Sequence, residues 1–408
     1  MHLSFDEFVR HVPDARQRIQ HLTERFTETY GSHPTVVASG PGRTEIIGNH
    51  TDHNHGRVVA AAIDQDALVV AGPSPDNDSH LVSAGWDATF RAPGDGGECS
   101  HDTERLMAGV AAGLRNYNQA APAYQAAMDS RVTPGSGLSS SAALEVALAG
   151  THAALAGTEL DPVVAARSGQ FAENHFMNKP SGLMDQMASA IGSAVAIDFA
   201  DPESPRYHRL ELDFRGHGQR LVVVNTGGSH ADLTDQYAAV PREMHAVAQV
   251  LGVETLSRTN RRELLAHLDR VREATGDRAV LRAFHFFDEQ DRVSALVDAV
   301  DSRLNERVLR AMNESGVSSW TLLQNVYAEG HVTEQPVALA LEVTRTYLAA
   351  RGALGACRVH GGGFAGTILA VIPEELVPEY HHVMSRGFGD GSVMELRIRP
   401  RGMMSADL

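Results

Sequence analysis

Thr133-Pro134-Gly135-Ser136-Gly137-Leu138-Ser139-Ser140-Ser141-Ala142-Ala143-Leu144-Glu145-Val146-Ala147 is the stretch on which the reading of this chain turns. Small residues let the backbone curl so that its N–H groups point inward, and the apolar run that follows has helical spacing. Such a loop ends on a helix N-terminus, where free N–H groups and the helix dipole favour an anion, phosphate above all. The serine hydroxyls add ligands for phosphate oxygens or a hard cation. A lone Gly-x-Gly would read as a serine-rich helix cap. Two glycines, three serines and an alanine-rich helix in that order favour a nucleotide loop.

Three other segments carry chemistry. Gly40 to Gly56 is a dense polar run between two strand-like segments, expensive unless it faces solvent or a ligand. Its Asn49-His50-Thr51-Asp52 offers the mixed donors and acceptors that a polyhydroxylated sugar needs, and Arg43 is suited to clamp an oxyanion. His50, His53 and His55 also invite a metal reading, which ranks lower: on a strand only His53 and His55 share a face. Ala172-Glu173-Asn174 and Gly182-Leu183-Met184-Asp185-Gln186-Met187 put two carboxylates on neighbouring helical segments. Asp185 sits among apolar residues, so it needs a partner, for which Arg43 is a candidate. In Arg358-Val359-His360-Gly361-Gly362-Gly363-Phe364-Ala365-Gly366-Thr367 the glycines match G-x-G-x-x-G. They lead into a strand rather than a helix, which rejects the dinucleotide reading and leaves a tight turn approaching a ligand backbone-first.

Composition narrows the classes further. The formal net charge of −16 disfavours nucleic acid and anionic membrane as partners. No apolar run approaches the roughly 18 residues of a membrane span, and residues 1–7 lack the character of a signal peptide. Two cysteines, Cys99 and Cys357, make no disulfide framework, so a reducing cytoplasm is expected. Of 35 basic residues one is lysine, Lys179, in Asn178-Lys179-Pro180, so no Walker Gly-Lys-Ser/Thr exists. The chain reads as α+β, with a domain boundary near Asp201 to Gly218. Ser4 and Glu7 form a capping box opening one helix through Val12 and Phe26. A short strand Thr35 to Ala38 ends at Ser39-Gly40-Pro41-Gly42, and Arg57 to Gly72 makes one or two strands. Helices are expected at 103–117, 139–155, 163–176 and 183–190, and from Ala231 to about Gly316. Strands are expected at 193–199, 220–225, 357–360, 364–372 and 392–399.

Taken together, the segments Pro41 to Asp64, Gly135 to Ala143, the Glu173 and Asp185 pair, and Gly361 to Gly366 resemble the GHMP kinase superfamily, and within it the galactokinase family; Asp235-Gln236-Tyr237 resembles that family's sugar-side tyrosine segment. The resemblance implies an N-terminal ribosomal-protein-S5-like domain, residues 1–205, and a C-terminal ferredoxin-like domain, 206–408, with ATP and sugar meeting between them. It implies Asp185 as the catalytic acid facing the anomeric hydroxyl, with Arg43 beside it. Gly135, Ser136, Gly137, Leu138, Ser139, Ser140 and Ser141 would cradle the phosphates of ATP, and Ser141 and Glu173 would bind Mg²⁺. Asn49, His50, Thr51, Asp52, Gly182 and Tyr237 would contact the sugar. Small-molecule substrates and a monomer are expected. Two positions depart from the family: Asn49 stands where glutamate is usual, and Thr133 where proline is usual. Asn49 keeps open a related sugar-1-kinase acting on N-acetylgalactosamine, galacturonate or arabinose. The intact Ser139 to Ala143 and the presence of Asp185 argue against a silent galactose sensor.

Overall fold

Ser4 opens the first helix with the expected capping box. The computed structural model describes residues 1–408 apart from 86–87, 95, 134, 180, 228–232 and 365. β1 (His2–Leu3) and α1 (Phe5–His11) precede α2 (Ala15–Tyr30). The single helix expected here is therefore two. Pro13 disfavours helical geometry at Val12, which is extended, and Asp14 turns left-handed at φ 52° before α2 begins.

β2 (Val36–Ile47) and β3 (Arg57–Pro73) form the spine of the first sheet. The expected end of a strand at Ser39 to Gly42 is a second correction: β2 runs on to Ile47, with its register shifting between Pro41 and Arg43. Gly40 is small for packing rather than for turning. A Cβ there would fall 2.7 Å from the Ala147 backbone N and closer still to the Ala143 carbonyl. β3 is buried over most of its length, and its Val/Ala/Ile run suits a strand covered on both faces.

The chain continues through β4 (Ser79–Ser83), β5 (Thr89–Ala92), α3 (Asp102–Asn116), β6 (Tyr124–Ser130), α4 (Ser140–Leu155), α5 (Pro162–Phe176), α6 (Met184–Ile191), β7 (Ala194–Asp198) and β8 (Arg206–Leu210). Asp161 caps α5 by accepting from the N–H groups of Val163 and Val164, with Pro162 in the first turn. α4 is apolar nearly all round and correspondingly buried. The second half holds β9 (Gln219–Asn225), α7 (Thr234–Val250), α8 (Arg261–Ala266), α9 (Leu268–Thr275), α10 (Asp277–Asp301), α11 (Asn305–Ser318), α12 (Pro336–Ala349), β10 (Ala356–Val359), β11 (Thr367–Pro373), α13 (Val377–Phe388), β12 (Val393–Leu396) and β13 (Met404–Asp407). The helix start expected at Ala231 lies outside the described residues.

Among the described residues the strands form two sheets. The first runs β1-β13-β2-β3-β6-β4-β5, with β7 pairing β3 and β8 pairing β7. The second is antiparallel, β10-β11-β9-β12. The division at residue 205 separates the sheets except at β8 and β13, both of which belong to the first. Helices α3, α4, α5 and α6 pack a large apolar core on the first sheet, and α12 and α13 cover the second. Among the described residues no helix is long and apolar enough to cross a membrane.

Candidate active site

The nucleotide-loop segment ends as expected on the N-terminus of α4. Gly135, Gly137 and Ser139 have φ of 75°, 74° and 60°, which curl the loop. Pro134 lies outside the described residues. Ser139 takes the N-cap position of α4 but makes no side-chain cap bond. Its hydroxyl instead donates to Asp185 Oδ2. Leu138 differs from its loop neighbours: its side chain is wholly buried in the core, so it can meet a ligand only through its backbone.

β2 aims Arg43 at the same place. Arg43 Nε and Nη2 donate to Asp185 Oδ1 and Oδ2 at 2.6 and 2.5 Å, a bidentate pair. Nη1 donates to the Gly137 carbonyl, and the Arg43 N–H donates to the Leu138 carbonyl at 3.0 Å. The arginine thus ties loop to acid. The Asp185 side chain keeps 28% exposure. Burial raises the carboxyl's pKa, but the Arg43 charge and hydrogen bonds, the Ser139 hydroxyl and the Lys179 charge outweigh it, and the group sits below the usual carboxylate range.

A second acidic group lies one helix away. Ser141 Oγ donates to Glu173 Oε1 at 2.9 Å. These oxygens suit a hard divalent cation, and both belong to well-anchored helices. Lys179 Nζ reaches the same Glu173 oxygen at 2.6 Å. Behind them Gln186 Nε2 donates to Glu173 Oε2 at 3.2 Å and to Glu145 Oε2 at 3.0 Å. Glu145 is fully buried, and burial followed by the nearby Glu173 charge pushes its pKa well above the ordinary value.

The sugar-side residues converge on the third glycine segment. Asn49 Nδ2 donates to the Gly361 carbonyl at 2.7 Å, His50 Nε2 to Gly362 at 2.8 Å, and Tyr237 Oη to Gly363 at 3.0 Å. Two segments far apart in sequence, 49–50 and Tyr237, meet at three consecutive carbonyls. Asn49 is 1% exposed, and its remaining bonds go to Glu45 and to Asn325 Nδ2, which donates to Oδ1 at 2.7 Å. Its amide is spent on the protein, which corrects the expectation that it reads the sugar. Thr51 is corrected likewise: it is fully buried and donates to the carbonyls of Gly48 and Arg57, both 2.9 Å away. Asp52 and Gly182 are adjacent, since a Cβ on Gly182 would collide with the Asp52 carboxylate. A cleft of about 370 Å³ lined by His53, Asn174, Asn178 and Ser181 borders them. The three histidines do not gather for a metal. Among the described residues the only such cluster is Asp76, Asp78 and His80, where the chain enters β4, with Asp76 exposed and the other two half-buried.

Sequence reading missed a supporting layer. Arg358 Nη2 donates to Glu45 Oε1 at 2.8 Å, an ion pair buried on both sides that joins β10 to β2. His360 bonds the hydroxyls of Thr44 and Thr367 at 3.0 and 3.1 Å. His285 Nε2 donates to the Asn49 carbonyl at 2.9 Å and its Nδ1 bonds the Ser318 hydroxyl at 2.9 Å. Glu289 accepts from the Gly48 N–H at 2.9 Å. Burial works to raise the Glu289 pKa, but His285, Arg292, Arg358 and Ser315 bring it down to about 2. Asn325 follows the π-helical turn Ser319–Leu323. Helical periodicity through 315–325 marks none of these; only unpaired polar letters within apolar surroundings could have drawn notice.

An anion loop, a bidentate arginine–carboxylate pair and a helix-borne serine–glutamate pair beside a sugar-sized cleft describe a phosphoryl-transfer site of the GHMP kinase class. The model of the GHMP kinases N-terminal domain matches residues 105–193, and that of the galactokinase galactose-binding signature matches 24–73. A galactokinase of Streptomyces coelicolor is 32% identical over 361 residues, covering 86% of this chain and 87% of the relative. One from Actinobacillus pleuropneumoniae is 27% identical, covering 90% and 93%. The chain belongs to the galactokinase family. Its fold matches that of Lactococcus lactis galactokinase complexed with galactose at a TM-score of 0.81, with 22% identity over 95% of this chain and 99% of that one. A mevalonate kinase structure matches at 0.60, with 11% identity over 89% and 98%.

Proposed function

We propose that this chain transfers the γ-phosphoryl group of ATP to the anomeric hydroxyl of α-D-galactose, giving α-D-galactose 1-phosphate and ADP. The Arg43–Asp185 pair at the lip of the glycine loop carries the reading. Phosphates on residues 135–141 would lie against the free N–H groups of α4. The reacting hydroxyl would then stand beside Asp185, which orients it and takes its proton. Arg43 keeps Asp185 ionised at rest and so able to accept that proton. Arg43 itself faces the charge that develops on the transferring group. Ser141 and Glu173 would hold Mg²⁺, which neutralises phosphate charge when bound. Asp52 and Gly182 would face the sugar, with His50 and Tyr237 fixing the glycine turn at its edge. Asn49 and Thr51 support this wall from behind. Positioning and charge neutralisation supply most of the catalysis. The half 1–205 supplies the loop, Arg43, Asp185, Ser141, Glu173 and the cleft lining, and the half 206–408 brings the Gly361 to Gly363 turn and Tyr237 to its edge. Two unpaired thiols suit a reducing cytoplasm.

A coupled ADP-release assay over galactose, N-acetylgalactosamine, galacturonate and arabinose tests the proposal. Galactose should give the highest kcat/KM. Preference for another sugar would move the assignment to that kinase, and binding of galactose and ATP without ADP release from any sugar would defeat it.

A further inference from the structure

Lys179 is the single lysine of 408 residues, and the reaction proposed above gives it no task. It is attached twice to one residue: its backbone N–H donates to the Glu173 carbonyl at 3.0 Å and its ammonium to Glu173 Oε1 at 2.6 Å. That oxygen is also the one bonded by Ser141 Oγ, while Gln186 holds the other. Glu173 is 4% exposed. Glu145 lies behind it with Oε1 lacking a hydrogen-bond partner among the described residues. The ammonium therefore holds Glu173, and the lysine side chain is 60% exposed and so free to swing outward.

We propose that Lys179 competes with the divalent cation for Glu173, holding the carboxylate when metal is away and giving it up when metal and nucleotide bind. The proposal rests on Ser141 and Glu173 being the metal ligands. An ammonium 2.6 Å from Glu173 Oε1 and a divalent cation on the same oxygen repel each other. Binding of one must therefore loosen the other, by the same factor in each direction. Lys179 is in this sense a positioning residue. It spares the folded protein an unbalanced acidic cluster and raises the metal concentration needed to load the site.

The test follows thermal stabilisation by Mg²⁺ at a fixed, saturating concentration of a non-hydrolysable ATP analogue, so turnover is not involved. Lys179→Met should lower the half-saturating Mg²⁺ by about ten-fold, the scale of one lost charge-assisted contact. It should also lower Tm in EDTA, while Lys179→Arg stays near the parent on both counts. Glu173→Gln should raise the half-saturating Mg²⁺. If it does not, the metal assignment fails and the proposal with it. If Glu173→Gln behaves as expected while Lys179→Met leaves half-saturation unchanged or raised, the metal assignment stands and the competition is overturned. Weaker analogue binding in Lys179→Met at saturating Mg²⁺, with half-saturation unmoved, would make Lys179 a phosphate ligand and overturn it equally.

Discussion

The acid pair at the loop and the turn at Gly361 to Gly363 are neighbours, since a Cβ on Gly137 would lie 2.9 Å from His360 Nδ1. They are built from opposite materials. At the loop, formal charges face each other: Arg43 on Asp185, Lys179 on Glu173, with Asp185 left 28% exposed. At the turn, neutral donors from Asn49, His50 and Tyr237 each satisfy one backbone carbonyl. Burial pushes the His50 pKa down to about 4 and that of His360, aided by Arg43 and Arg358, to about 3, so both rings stay uncharged. Charge is kept where phosphate and proton would move in the proposed reaction. Neutral bonds hold the frame, where an uncompensated charge would be costly.

The largest effect should come from the charged region. Asp185→Asn is expected to cut kcat by about 10²–10⁴-fold, the usual cost of losing a general base, with galactose binding still measurable by calorimetry. Near-parental turnover would remove Asp185 from that role. Next comes a buried ion pair that underpins the neutral region, Arg358 with Glu45. Arg358→Met leaves Glu45 buried and unpaired, and should cost about 3–5 kcal/mol in urea unfolding. A loss under about 1 kcal/mol would mean that Glu45 is not held by this arginine.

Asn49→Glu separates wall from reader. A glutamate cannot donate to the Gly361 carbonyl and would stand beside Glu45, so stability should fall by about 1–3 kcal/mol. The ratio of kcat/KM for galactose over its 2-acetamido analogue should not move. A changed ratio at unchanged stability would return Asn49 to the sugar.

A further effect concerns acid. A histidine held neutral by folding binds more protons when unfolded. Stability on account of His360 is therefore complete above about pH 6.5 and drains away as pH falls toward about 3, by up to about 1.4 kcal/mol per unit. Urea unfolding at pH 7, 6 and 5 should show the decline, and His360→Gln should make it shallower, leaving the share of His50. An equal slope in both proteins would clear His360 of the effect.

Much of the charged region was legible in the sequence, because chemistry at a phosphate needs particular letters at particular spacings. Gly135 to Ala143, Glu173 and Asp185 could be read in order, and the Arg43–Asp185 pairing followed from the need of a half-buried acid for a cation. The neutral region was not legible in the same way. Asn49 looked like a sugar ligand because amides suit sugars, yet the same two atoms suit a carbonyl and a neighbouring amide. Only the arrival of β10 and the segment after α11 beside β2 decides between them. Arg358 and Glu45 are 313 positions apart. Nothing local to either announces the other. The helix break at Pro13 and the long β2 failed for related reasons: a local proline outweighed apolar spacing, and Gly40 was shaped by α4 rather than by a turn.

β13 gives the chain an order of events. Val36 to Ser39 of β2, the strand that carries Arg43, pair on one side with Met404 to Asp407. During synthesis the arginine's strand therefore waits with one edge open until Met404 to Asp407 have been made. An open edge is a template for wrong pairing, and closing a loop of this length is slow. The nascent protein is thus exposed to misassembly for longest at the strand its chemistry depends on. A chain cut before Met404 would keep every residue of the cleft and leave the foundation of that cleft unclosed.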